Sequence, residues 1–138
     1  MSKKGNTTDR PFEIGSGQDC GNTSTESKMN DTSIYLDLRK SNFSSTVQVS
    51  VIGCHENGES LNCTNKGDFY YVESGKKYML YNQVKELNFN FVYLKFTKSN
   101  PQEIVSGVWS ADSIADSSCQ ILRSGNKSEN NNTNSAKG

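Results

Sequence analysis

The sequence predicts an all-β fold: an antiparallel β-sandwich, or a small barrel, of about seven or eight short strands, held by disulfides. Three observations predict it. Apolar residues recur with a period of two, turn signals break the chain at short intervals, and the cysteines number four.

Composition sets the frame for the elements. The 138 residues suit one domain, and only 32% of them are hydrophobic. Asn, Ser and Thr make up 45 of the 138, so part of the chain is expected to stay outside any core. The division this suggests is a flexible polar arm over 1–30, a single β domain over 31–124, and a disordered Asn/Ser-rich tail over 125–138. In the arm the notable apolar residues are Phe12, Ile14 and Met29, with Cys20 as an anchor.

The strands follow in order. Ile34, Leu36 and Leu38 alternate with Tyr35 and Asp37, and Val47, Val49 and Val51 alternate with Gln48 and Ser50. Both runs read as strands with one wet face, joined through Ser41–Ser45. After Ile52, Asn57-Gly58 is a two-residue hairpin signal. Strict pairing about it sets Cys54 opposite Leu61, so a Cys54–Cys63 bridge needs a bulge or a wider loop. Phe69–Glu73 and Tyr78–Asn82 form the next pair, and Gln83–Leu87 suits a single helical turn. Phe89–Thr97 is apolar on both faces, which requires a covered central strand or a switch of faces near Phe91. Ile104–Trp109 and Cys119–Leu122 complete the set, with Trp109 assigned to the core.

The cysteines point to a compartment. Cys20, Cys54, Cys63 and Cys119 include no Cys-x-x-Cys pair, and their intervals of 34, 9 and 56 residues disfavour structural zinc. The expected pairs are Cys54–Cys63 and Cys20–Cys119, which imply an oxidising environment and a secreted or cell-surface protein. Met1-Ser2-Lys3-Lys4-Gly5 carries no apolar signal region, so the chain reads as a mature exported form. Seven Asn-x-Ser/Thr sequons (Asn6, Asn22, Asn30, Asn42, Asn62, Asn126, Asn131) would matter only in a glycosylating host.

Several functions are disfavoured. Fifteen basic and fifteen acidic residues give zero net charge, so no nucleic-acid partner is expected. No run is long and apolar enough for a membrane-spanning helix, and no cofactor or metal motif is present. His55 lies near Glu56 and Glu59 and could support acid–base work, but a hairpin tip is exposed and unshielded. Asp112 and Asp116 are spaced as partial calcium ligands, without the full loop pattern; Asp112 also suits a turn cap. Glu73, Glu86 and Glu103 read as a solvated rim.

Aromatics are the more informative group. Alternation puts Tyr70 and Tyr71 on opposite faces and leaves Tyr35 outward beside buried Ile34 and Leu36. Tyr35, Tyr70, Tyr71 and Tyr81, with His55, Glu56 and Glu59, form the candidate binding set. Plain cross-strand packing is the competing explanation for the tyrosines. An open edge strand could also pair with a second copy.

Ser106-Gly107-Val108-Trp109-Ser110-Ala111-Asp112-Ser113-Ile114, after an alternating aromatic strand, resembles the C-terminal end of small exported proteins of Gram-positive bacteria with no assigned function. The resemblance implies export and carries no catalytic residue. The expected function is therefore an exported, non-enzymatic binding module that recognises a protein or surface glycan through a β-face or loops. The alternative is a small secreted toxin, bacteriocin or inhibitor acting through the Cys54–Cys63 loop.

Overall fold

The computed structural model describes residues 5–39, 41–44, 46–114 and 117–127. It is all-β, with eleven strands among the described residues: β1 (Arg10–Ile14), β2 (Cys20–Asn22), β3 (Glu26–Ser27), β4 (Ile34–Asp37), β5 (Val47–Cys54), β6 (Ser60–Asn62), β7 (Tyr70–Val72), β8 (Lys77–Leu80), β9 (Phe91–Thr97), β10 (Val105–Ser110) and β11 (Gln120–Leu122). They form two sheets. The five-stranded sheet runs β1-β10-β4-β8-β11, antiparallel except for the β8–β11 pair. The six-stranded sheet runs β2-β9-β5-β6, with β3 also on β9 and β7 also on β5.

Period-two alternation assigns the faces. Ile34 and Leu36 of β4, Tyr78 and Leu80 of β8, and Val105 and Trp109 of β10 turn inward. Val47, Val49 and Val51 of β5 and Val92, Leu94 and Phe96 of β9 come from the other sheet into the same core. Phe89 also enters that core although it shares parity with outward Phe91. The switch lies in the turn before β9, where Asn88 has φ 67° and the Phe89 N–H bonds the Val84 carbonyl. The expected single turn is present, with Leu87 N–H donating to Gln83 O at 2.9 Å.

The N-terminal segment differs from expectation. Residues expected to form a free arm supply β1, β2 and β3, and Ile14 reaches the core. β1 pairs through five residues with β10, from Arg10↔Trp109 to Ile14↔Val105. This segment carries too few apolar residues to register as strands. Its strand character comes from pairing partners 64 to 99 residues away. At the other end, Gly125 and Asn126 hydrogen-bond Asn65 and Phe69, and the expected tail from Ser128 onward lies outside the described residues.

The β5–β6 hairpin is wider than the Asn57-Gly58 signal implies. Gly58 N–H bonds His55 O at 3.0 Å, His55 N–H bonds Glu59 O at 2.8 Å, and Gly58 has φ 94°. This is a three-residue loop with glycine at the left-handed position. Cys54 therefore faces Ser60, not Leu61.

The expected disulfides are absent, and the register explains why. Cys63 donates its N–H to Val51 O and so lies opposite Val51, with its sulfur in the core beside Phe89. Cys54 is three residues further along β5, on the outward face with Ile52. The two sulfurs thus lie on opposite faces of one sheet, where no disulfide geometry is available. The Cys20–Cys119 pair fails on topology. β2 lies beside β1, where Gly21 meets Ile14, whereas Cys119 precedes β11 at the opposite end of the five-stranded sheet. Four strand spacings separate those ends, about 19 Å. Burial raises the pKa of the Cys54 thiol and, more deeply placed, of the Cys63 thiol. Iodoacetamide without reductant is therefore expected to modify exposed Cys20 in the native protein, and Cys54 and Cys63 only after unfolding. A Cys54 or Cys63 that needs reductant before it labels in denaturant would overturn this register.

Candidate functional site

The outward face of the five-stranded sheet carries the site. Register brings Ser110 opposite Tyr35, Tyr35 opposite Met79, and Met79 opposite Ile121. One cross-strand row thus runs over β10, β4, β8 and β11, because all four residues have outward parity. Tyr81 continues the outward side of β8. Its ring lies under the Arg123 guanidinium at 4.7 Å, and its hydroxyl accepts from Arg123 Nη1 at 2.6 Å.

This row is the floor of a groove. One compartment, of about 410 Å³, is lined by Asp31, Thr32, Ser33, Met79, Tyr81, Asn82, Glu86, Ser113 and Ile121. The next, of about 240 Å³, is lined by Thr7, Asp9, Tyr35, Met79, Ser110, Ser113 and Ile114. Met79 and Ser113 border both, so the two adjoin. Ile121 is 48% exposed and Ile114 76%, which is unusual for large aliphatic side chains on so polar a chain.

A buried ion pair builds one wall. Lys28 Nζ lies 2.5 Å from Asp112 Oδ1, and both side chains are fully buried. The ammonium also donates to the carbonyls of Asn30 at 2.9 Å and Thr32 at 2.6 Å. Asp112 Oδ2 accepts the N–H groups of Asn6 at 2.7 Å and Met29 at 2.9 Å. Thr32 Oγ1 accepts the Ser113 N–H at 3.0 Å. The network ties residues 28–32 to the end of β10 and so positions Asp31, Thr32 and Ser113 along the groove. Burial raises the Asp112 pKa, but the Lys28 hydrogen bond, the two backbone donors and the Lys28 charge outweigh it, and the net direction is down. Burial pulls the Lys28 pKa down, with Asp112 opposing it.

Tyr35 is held from the side. Its hydroxyl donates to Asp37 Oδ2 at 3.2 Å, and Arg39 grips the same carboxylate, with Nη2 at 2.9 Å from Oδ2. Burial first, then the Asp37 charge and hydrogen bond, push the Tyr35 pKa up to about 12. The phenol therefore enters the groove as a neutral group.

Of the residues expected to bind, Tyr35 and Tyr81 meet in this groove. Tyr70 does not: it is 1% exposed, and its hydroxyl donates to Tyr81 O at 2.7 Å. Alternation correctly separates it from Tyr71, which is 48% exposed, on the other sheet and edge-on to Phe69. His55 packs at a tilt on Phe89 with ring centroids 4.4 Å apart, and Glu56 and Glu59 are exposed at the hairpin tip. None of the three lines the groove. At Asp112, which the sequence offered as a turn cap or a partial calcium ligand, the carboxylate is taken by Lys28 and backbone N–H groups; Asp116 lies outside the described residues. Met79, Ile121, Ile114, Asp9 and Asp31 escaped the sequence reading. Only the unusual exposure of the two isoleucines would have marked them, and exposure is a property of the fold.

Residues 1–113 match the family model described as Protein of unknown function (DUF2712). No curated protein and no solved structure matches the chain.

Proposed function

The chain belongs to that family of unknown function, and we propose that it is a binding module, not an enzyme, with its two sheets as the layers of a β-sandwich. It engages a protein or surface glycan through the outward face of β4, β8 and β11. One observation carries this reading: exposed Tyr81 and Ile121, half-buried Tyr35 and, beneath them, buried Met79 form an apolar and aromatic row along a groove on a polar chain. Export to the cell surface is part of the proposal. Its support is the polar composition, since the cysteines no longer argue for it. No described helix is long and apolar enough to cross a membrane.

The test presents a random peptide display library and a panel of surface oligosaccharides to the wild-type chain. Retained ligands are then measured on Ile121→Asp, Tyr81→Ala and, as a control on the other sheet, Tyr71→Ala. Affinity is expected to fall by about tenfold or more on Ile121→Asp, the loss of one well-placed apolar contact, and to be unchanged on Tyr71→Ala. Ligands indifferent to both groove substitutions would overturn the reading. Loss only when Glu56–Gly58 is replaced by a Gly-Ser loop would transfer it to the hairpin, as an inhibitor or toxin would require.

A further inference from the structure

Resting on the binding reading, we infer that the groove takes a cationic peptide segment whose basic residues flank apolar ones. The floor and the rim make different demands. The floor of the larger compartment is mainly apolar, with half-exposed Ile121 open to inserted side chains and buried Met79 beneath, and the body of Tyr35 extends it into the smaller one. The larger compartment, about 410 Å³, falls at the small end of the range for ligand sites, about 300–1,000 Å³, which suits a few side chains and not a folded surface.

The rim is acidic. Asp31 and Glu86 border the larger compartment and Asp9 the smaller. None of the three takes part in an ion pair within 4 Å among the described residues. Two cations lie nearby. Lys28 is buried and paired with Asp112, with Asp31 and Glu86 acting on it only through space, and Arg123 sets one positive charge over Tyr81 against the three carboxylates. The groove thus keeps unneutralised negative charge around an apolar floor, and a ligand with the complementary arrangement is steered in and held in register.

The same geometry disfavours a glycan. Sugar rings stack on open aromatic faces, and one face of Tyr81 is already covered by the Arg123 guanidinium. Tyr35, the other aromatic of the floor, is half-buried, and its hydroxyl is engaged by Asp37.

The experiment is an amide chemical-shift titration of the full chain with three probes: acetyl-Lys-Leu-Lys-Leu-Lys-amide, its counterpart with glutamate for lysine, and chitopentaose. The lysine peptide is expected to shift Met79, Tyr81, Ser113 and Ile121. Its affinity should fall about fivefold in the double variant Asp31→Asn/Glu86→Gln, the size expected for two exposed ion pairs. The glutamate peptide should bind at least that much more weakly. Equal or tighter binding of the glutamate peptide overturns the charge inference and leaves the groove standing as a site. Chitopentaose shifting the groove while the lysine peptide does not overturns it in favour of a glycan. No groove shift with any probe removes this inference; the Ile121→Asp measurement on library ligands then decides separately whether the groove binds at all.

Discussion

Asp112→Ala is expected to destabilise the protein by about 3–5 kcal/mol, the cost of breaking a buried ion pair. The reason is what it leaves behind. Lys28 would remain fully buried with carbonyl oxygens but no counter-charge, and the N–H groups of Asn6 and Met29 would lose their acceptor. Chemical denaturation of both forms at neutral pH checks it. Acid titration checks the cause. The folded pKa of Asp112 lies below its ordinary value. Its contribution is therefore fully present above the unfolded-state carboxylate pKa, about 3.9, and is lost as pH falls through the lower folded value. Asp112→Asn keeps an acceptor but no charge, so its stability should lack that acid-side loss. An unchanged acid profile in Asp112→Asn would show that another group carries it. Because the pair also holds residues 28–32 against Ser113, either variant that still folds should bind groove ligands more weakly.

Trp109 is the second case. It is the largest fully buried side chain among the described residues, near the C-terminal end of β10, where it pairs with both neighbouring strands through Arg10↔Trp109 and Trp109↔Leu36. Trp109→Ala is expected to cost about 3–5 kcal/mol, the transfer of the lost ring plus the cavity it leaves. Trp109→Phe should behave quite differently. The indole Nε1 is the one buried side-chain nitrogen or oxygen without a hydrogen-bond partner among the described residues. An unsatisfied buried donor costs about 1–3 kcal/mol, so removing it offsets much of the volume lost. Trp109→Phe should thus stay within about 1 kcal/mol of wild type by equilibrium denaturation. A penalty as large as that of alanine would mean that the indole N–H is bonded in solution.

These two sites were legible to different degrees. Trp109 reads as core from Val105 and Val108 around it, because alternation is a local property. Asp112 reads as a turn cap or half a calcium site, because its partner Lys28 is 84 positions away in a stretch without apolar periodicity. The same division separates Tyr70 from Tyr35. Parity correctly divides Tyr70 from Tyr71, but only the neighbouring strands decide which face is covered.

What the sequence by itself determined is the all-β class, the single turn at Gln83–Leu87, the inward parity of β4 and β5, and the place of Trp109 in the core. Each depends on residues within a few positions of one another, where side-chain direction follows backbone period. The tertiary structure alone decided the rest. Strand register put Cys54 and Cys63 on opposite faces of one sheet, and long-range pairing drew residues 10–27 into both sheets. The row from Ser110 to Ile121 likewise needs four strands in step, each more than 40 residues from its partners in the row. A shift of one residue in any of them would turn that strand's member of the row into the core, and local periodicity is the same for either register.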